Sequence, residues 1–108
     1  ISLNDLDDTD ALRASIEGSD ILTNATRVGM KPMDDQSLIT DNTMLRPGLI
    51  VTDVVYDPEE TKLLREAKAA GCKTFDGLGM LVEQGAASFK LYTGLDMPVA
   101  EVCDAIYR

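Results

Sequence analysis

Arg27, Tyr56, Gly77 and Gln84 are residue types that could hold a polar ligand, and none is an obvious choice for a plain connector or core. Arg27 follows Asn24 and Thr26 in "TNATRVGM", just after a short apolar run. Two roles fit it: a solvated cation beside an Asx-type turn, or a guanidinium facing a phosphate or ribose. Tyr56 closes the run "LIVTDVVY", directly before Asp57 and Pro58. Its ring could pack at a sheet edge, or its phenol could donate into a cleft. Gly77 and Gly79 bracket Leu78 in "FDGLGM". They serve a turn into a helix, or they let a flat ligand approach the backbone near free helix N–H groups. The spacing is not the GxGxxG fingerprint, because Val82 takes the last position.

Gln84 lies in the helix that this turn opens. At about 100° per residue, Leu78, Leu81, Val82, Gly85, Ala86 and Phe89 make one broad apolar face. Glu83 and Lys90 mark a narrow charged wedge, and Gln84 falls on the remaining side with Met80, Ala87 and Leu91. That side is apolar apart from Gln84, which predicts that it too is covered. A buried amide left unpaired costs about 1–3 kcal/mol. Its partner is either backbone or a bound polar molecule.

Composition narrows the chemistry. The chain has 108 residues, 44% hydrophobic and 27% charged, as expected for one globular domain. A formal charge of −9 argues against non-specific binding to nucleic acid or to an anionic membrane. An anionic ligand must then be held by local donors. No apolar run is long enough to span a bilayer. With no histidine, proton chemistry falls to Lys, Asp, Glu or Tyr, or to residues outside this chain. Cys72 and Cys103 are too few for a disulfide scaffold or a zinc site, which favours reduced thiols and a cytoplasmic setting. The start, "ISLNDLDD", reads as the middle of a longer protein.

The elements that must position these residues alternate. Ile1 to Leu6 reads as a short strand, and Asp8 or Thr9 caps a helix carrying Leu12 and Ile16 that Gly18 stops. "DILTN" reads as a buried strand, followed by a long loop and a helical turn that Pro47 ends. "LIVTDVVY" is the strongest strand and is apolar on both faces. Asp57, Pro58 and Glu60 predict the start of a helix that buries Leu63, Leu64, Ala67 and Ala70. "CKTF" reads as a strand, and Asp96 as the cap of a last helix with Val99, Val102, Cys103 and Ile106. Alternating strands and helices predict an α/β fold with a parallel sheet covered on both faces. In such sheets ligands bind beyond the carboxyl ends of the strands. Arg27, Tyr56 and Gly77 each follow such an end.

"LTNATRVGMKP", "VTDVVYDPEETKLLREAKAAGCKT" and "DGLGMLVEQGAASFKLYTG", in that order, resemble the C-terminal part of the shikimate dehydrogenase family, nearest its quinate/shikimate dehydrogenase branch. The resemblance covers nearly the whole chain. It implies an NAD- or NADP-dependent oxidoreductase that interconverts shikimate and 3-dehydroshikimate, or quinate and 3-dehydroquinate. It implies that residues 1–77 end a Rossmann-like cofactor domain, and that residues 78–108 are C-terminal helices returning toward a substrate domain. By the same resemblance, Gln84 and Tyr56 contact substrate. Arg27, Val54, Val55, Tyr56, Asp57 and Gly77 lie on the cofactor side. Tyr92 stands where the family commonly has Trp, and Arg27 and Val28 replace a Pro-Leu pair of many shikimate-specific members.

The family's catalytic Lys–Asp pair and its glycine-rich phosphate loop have no counterpart here. The resemblance therefore implies a C-terminal fragment whose partner is the missing N-terminal part. A different class also fits the isolated chain: a non-catalytic α/β module for ligand binding or assembly. Open sheet edges predict self-association, a swapped arrangement or a companion fragment. Neither nucleic acid nor a membrane is expected as a partner.

Overall fold

The computed structural model describes residues 1–107. Helix α1 spans Thr9–Glu17 and starts because the Asp8 carboxylate accepts the Ala11 N–H at 3.0 Å. It sends Leu12 and Ile16 into the core. Residues 1–6 form no strand, contrary to expectation, and Ile1, Leu3 and Leu6 are exposed. The strands downstream pair only with one another, so this stretch has no neighbour to extend against.

The sheet has three parallel strands in the order β1 (Ile21–Asn24), β2 (Ile50–Asp53) and β3 (Lys73–Phe75). The register aligns Leu22, Val51 and Thr74 in one row and Thr23, Thr52 and Phe75 in the next. Adjacent rows point to opposite faces. The Val51 face packs against Ile16, Ile39, Met44, Leu45, Leu49, Leu63, Leu64 and Ala67, which form the core. The other face is open: Ile21 and Phe75 are exposed and the Thr23 and Thr52 hydroxyls bond each other at 2.9 Å. The sheet is therefore covered on one face rather than two. The apolar run that predicts a long central strand yields only four paired residues, because the chain leaves the ladder after Asp53.

Between β1 and β2 the chain is irregular except for one 3-10 turn, Asn42–Met44. Two arginines fasten it to α1. Arg46 donates to the carbonyls of Ile16 at 3.0 Å and Ser19 at 2.7 Å, a cation placed at a helix C-terminus. Arg13 pairs with Asp41, whose carboxyl is held below its ordinary value by the Thr43 hydroxyl and N–H first and by Arg13 after them.

Helix α2, Lys62–Ala69, crosses from β2 to β3 with Leu63, Leu64 and Ala67 buried. Its cap is Thr61 rather than Asp57, because the buried Thr61 hydroxyl both accepts the Leu64 N–H and bonds Asp53. Gly71, at φ +85°, turns the chain into β3. Helix α3, Leu78–Thr93, ends at Gly94 in the left-handed region, and α4 follows over Val99–Ile106. Pro98, not Asp96, sits at the α4 cap, since the Asp96 carboxylate accepts from Lys90 at 2.7 Å. The radius of gyration is 16.1 Å, against roughly 13 Å for a compact domain of this length. The excess fits α3, α4 and the link between them, where Met80, Leu91, Tyr92, Leu95 and Ile106 are exposed. Among the described residues no helix is long and apolar enough to cross a membrane.

Candidate functional site

The carboxyl ends of β1 and β2 meet at one rim, as a parallel ladder requires. Beyond them lies a pocket of about 330 Å³, lined by Thr26, Arg27, Met30, Lys31, Val54, Val55, Tyr56 and Asp57. Five of the residues singled out from sequence, Arg27, Val54, Val55, Tyr56 and Asp57, therefore share one cavity. Its walls are mostly apolar, and two cations, Arg27 and Lys31, sit at its edge. That combination suits a flat ring with an attached anion, whereas the net charge of the chain would repel the anion elsewhere. Tyr56 is half exposed, so its phenol is free of the core.

Gly77 stands behind this pocket. Its N–H donates to the Val55 carbonyl at 3.2 Å, so the start of α3 lies directly on the β2 end. A Cβ at position 77 would fall 2.3 Å from the Val54 oxygen and 2.7 Å from the Val55 oxygen. Glycine is needed for this close approach, not for its dihedral angles, since φ is −82°. Gly79 has open space around the same test position, so only the first glycine of the pair is constrained.

Gln84 does not share the pocket. It is exposed, and its Nε2 donates to the Leu81 carbonyl oxygen of its own helix at 3.0 Å. Among the described residues nothing supplies the expected cover over its side of α3: Met80 is 53% and Leu91 86% exposed. Among the described residues no protein group bonds the Gln84 Oε1, which leaves that acceptor and one N–H available.

The rim is held by Asn24 together with two residues for which the sequence raised no expectation, Asp53 and Thr61. Asp53 is 2% exposed and accepts from Val55 N–H at 2.9 Å, Asn24 Nδ2 at 3.1 Å and the Thr61 hydroxyl at 2.8 Å. Asn24 does make the Asx-type turn, accepting from the N–H and hydroxyl of Thr26, but it is buried and also reaches the Val28 carbonyl. The signal was present: an acidic residue inside "IVTDVV" is a buried polar group that must find partners.

A larger cavity of about 550 Å³ opens beside Thr74 and Phe75, lined also by Glu59, Glu60, Lys68, Asp76 and Tyr107. Lys68 is raised above its ordinary pKa by its 2.8 Å bond to Glu60, whose carboxyl is lowered by the same bond. Tyr107 is raised by partial desolvation and then by Asp76. Among the described residues its lining cation is Lys68, already paired with Glu60, so that lining carries an acidic excess and does not suit an anionic ligand. No cluster of metal-ligating side chains exists among the described residues.

Comparison with known proteins finds similar chains. Residues 77–107 match the family model of the shikimate 5'-dehydrogenase C-terminal domain. A quinate/shikimate dehydrogenase of Escherichia coli is 51% identical over 102 residues, 94% of this chain and 35% of that protein. The structure of shikimate 5-dehydrogenase from Listeria monocytogenes, in complex with shikimate and NAD, superposes with a TM-score of 0.91. It is 47% identical, and the match covers 97% of this chain and 36% of that one. Quinate dehydrogenase from Corynebacterium glutamicum, in complex with NAD, gives a TM-score of 0.79 at 36% identity, covering 91% and 34%. The chain thus spans about a third of the length of the relatives it matches.

Proposed function

We propose that this chain, which belongs to the shikimate dehydrogenase family and corresponds to its C-terminal part, completes the cofactor and substrate cleft of an NAD- or NADP-dependent shikimate or quinate/shikimate dehydrogenase. The observation that carries this reading is the shared pocket of Arg27, Val54, Val55, Tyr56 and Asp57 at the ends of two parallel strands. The nicotinamide dinucleotide supplies a hydride acceptor when bound. The residues present fit it: apolar Val54, Val55 and Met30 offer a surface to a flat ring, and Arg27 and Lys31 offer charge to a phosphate or ribose. Gly77 keeps the start of α3 against this wall.

Residues 1–77 belong on this reading to the cofactor domain, and α3 and α4 return toward the substrate domain. Gln84 then bonds substrate hydroxyls with its free amide atoms, and Tyr56 borders the substrate side. The reaction removes a hydride from the carbon bearing the substrate hydroxyl and a proton from that hydroxyl. The family's catalytic Lys–Asp pair has no counterpart in these residues, so on this reading the base belongs to the missing N-terminal part. Cys72 is buried and both cysteines are free, which supports a cytoplasmic, reducing setting.

The test pairs the full-length protein with shikimate or quinate and with NAD or NADP, following absorbance of the reduced cofactor. At least one pair is expected to turn over, and the 108-residue chain alone to give no signal above background. Silence of the full-length protein with all four pairs would sink the reading. Turnover by the short chain would overturn the division of labour.

A further inference from the structure

We propose that Asp53 is a positioning residue whose buried carboxylate ties the ends of β1 and β2 to the start of α2 and so sets both walls of the Arg27–Tyr56 pocket. The proposal rests on the reading that this pocket takes a dinucleotide. None of the hydrogen bonds to Asp53 comes from Lys or Arg, yet its side chain is 2% exposed. A carboxylate in that position persists only where neutral donors satisfy it. Two of its three donors lead to walls of the pocket, and the third leads to the start of α2.

Through Asn24 Nδ2, Asp53 reaches the segment 24–28. The same amide nitrogen bonds the Val28 carbonyl at 2.9 Å, and Asn24 Oδ1 orients Thr26. That segment carries Arg27. Through the Val55 N–H, Asp53 fixes the turn that presents Val54, Val55 and Tyr56. The Val55 carbonyl in turn receives the Gly77 N–H, so the base of α3 is referred to the same carboxylate. Through Thr61, which is fully buried, it sets where α2 begins. A strand end needed only for packing could carry an apolar residue, as Val51 does two positions earlier.

The experiment compares full-length wild type with Asp53→Asn. Asparagine keeps one acceptor oxygen and puts an NH₂ where Thr61 now donates. Three amides report on the three links: Val28, Val55 and Leu64. Because Oδ1 still serves Asn24 and Val55, the Leu64 amide behind the lost Thr61 link is the one expected to exchange at least about 10-fold faster, and affinity for NAD or NADP is expected to fall by about 10-fold or more, as wall misplacement implies. A folded Asp53→Asn with unchanged exchange overturns the proposal. So does faster exchange with unchanged dinucleotide affinity, because that result is a stability role alone.

Where Asp53→Asn does not fold, Thr61→Val and Thr61→Ser decide. Serine keeps the hydroxyl and should retain wild-type affinity, while valine should lose it; equal affinities refute the idea. Should wild type bind neither dinucleotide, the functional reading has failed on its own. The exchange rates then still show whether Asp53 governs the two loops.

Discussion

Replacing Gly77 with alanine in the full-length protein is expected to lower the melting temperature by roughly 5–10 °C, taking about 2–4 °C per kcal/mol for a chain of this class. The added Cβ would sit 2.3 Å from the Val54 oxygen, 2.6 Å from its carbon and 2.7 Å from the Val55 oxygen. All three are backbone atoms of the β2 exit, so no side-chain rotation relieves the overlap. Overpacking of this kind costs about 1–3 kcal/mol and more where the backbone resists. The start of α3 must move away from Val54 and Val55, which line the pocket. Dinucleotide affinity is therefore expected to drop with stability. Gly79→Ala is the control: open space surrounds that position, and alanine should stabilise the helix by about 0.5–1 kcal/mol. Differential scanning calorimetry and cofactor titration check both variants. Wild-type melting and affinity in Gly77→Ala would mean that the close approach does not exist.

Replacing Gln84 with alanine should act on catalysis and leave stability alone. The side chain is exposed and bonds only its own helix, so its loss removes little from the fold. On the proposed reading its free amide atoms bond substrate hydroxyls. Losing such a bond is worth about 1–3 kcal/mol, or a fall in kcat/KM of about 5- to 150-fold. The effect should appear chiefly as a higher KM for shikimate or quinate, with cofactor affinity almost unchanged. Steady-state kinetics with each substrate decide the matter. Kinetics indistinguishable from wild type for both substrates would remove Gln84 from the site.

The end of β1 was legible in the sequence, because the apolar run "DILTN" stops at Asn24 and the structure ends the strand there. The end of β2 was not: "LIVTDVVY" reads as strand through Tyr56, whereas the ladder stops at Asp53. Arg27 and Val54 to Asp57 then fall at one pocket. What stayed hidden depends on long-range contacts. Asp57 and Thr61 are both good caps by local rules, and the choice went to Thr61 because buried Asp53, eight positions back, needs its hydroxyl. Gln84 looked buried because its neighbours on α3 are apolar. The helix wheel cannot say what covers a face, and the exposed Met80 and Leu91 show that nothing among the described residues does. The six residues at the start read as a strand from composition alone, without the partner that a strand requires.

The contrast between the two strand connections bears on the order of folding. A short helix joins β2 to β3, whereas β1 reaches β2 through an irregular stretch with a single 3-10 turn. Closing a long flexible loop costs entropy before any pairing rewards it. The unit from Ile50 to Phe75 should therefore collapse first, and β1 should dock onto it late. Pulse-labelled exchange would show this as protection at Val51 and Leu64 preceding protection at Leu22.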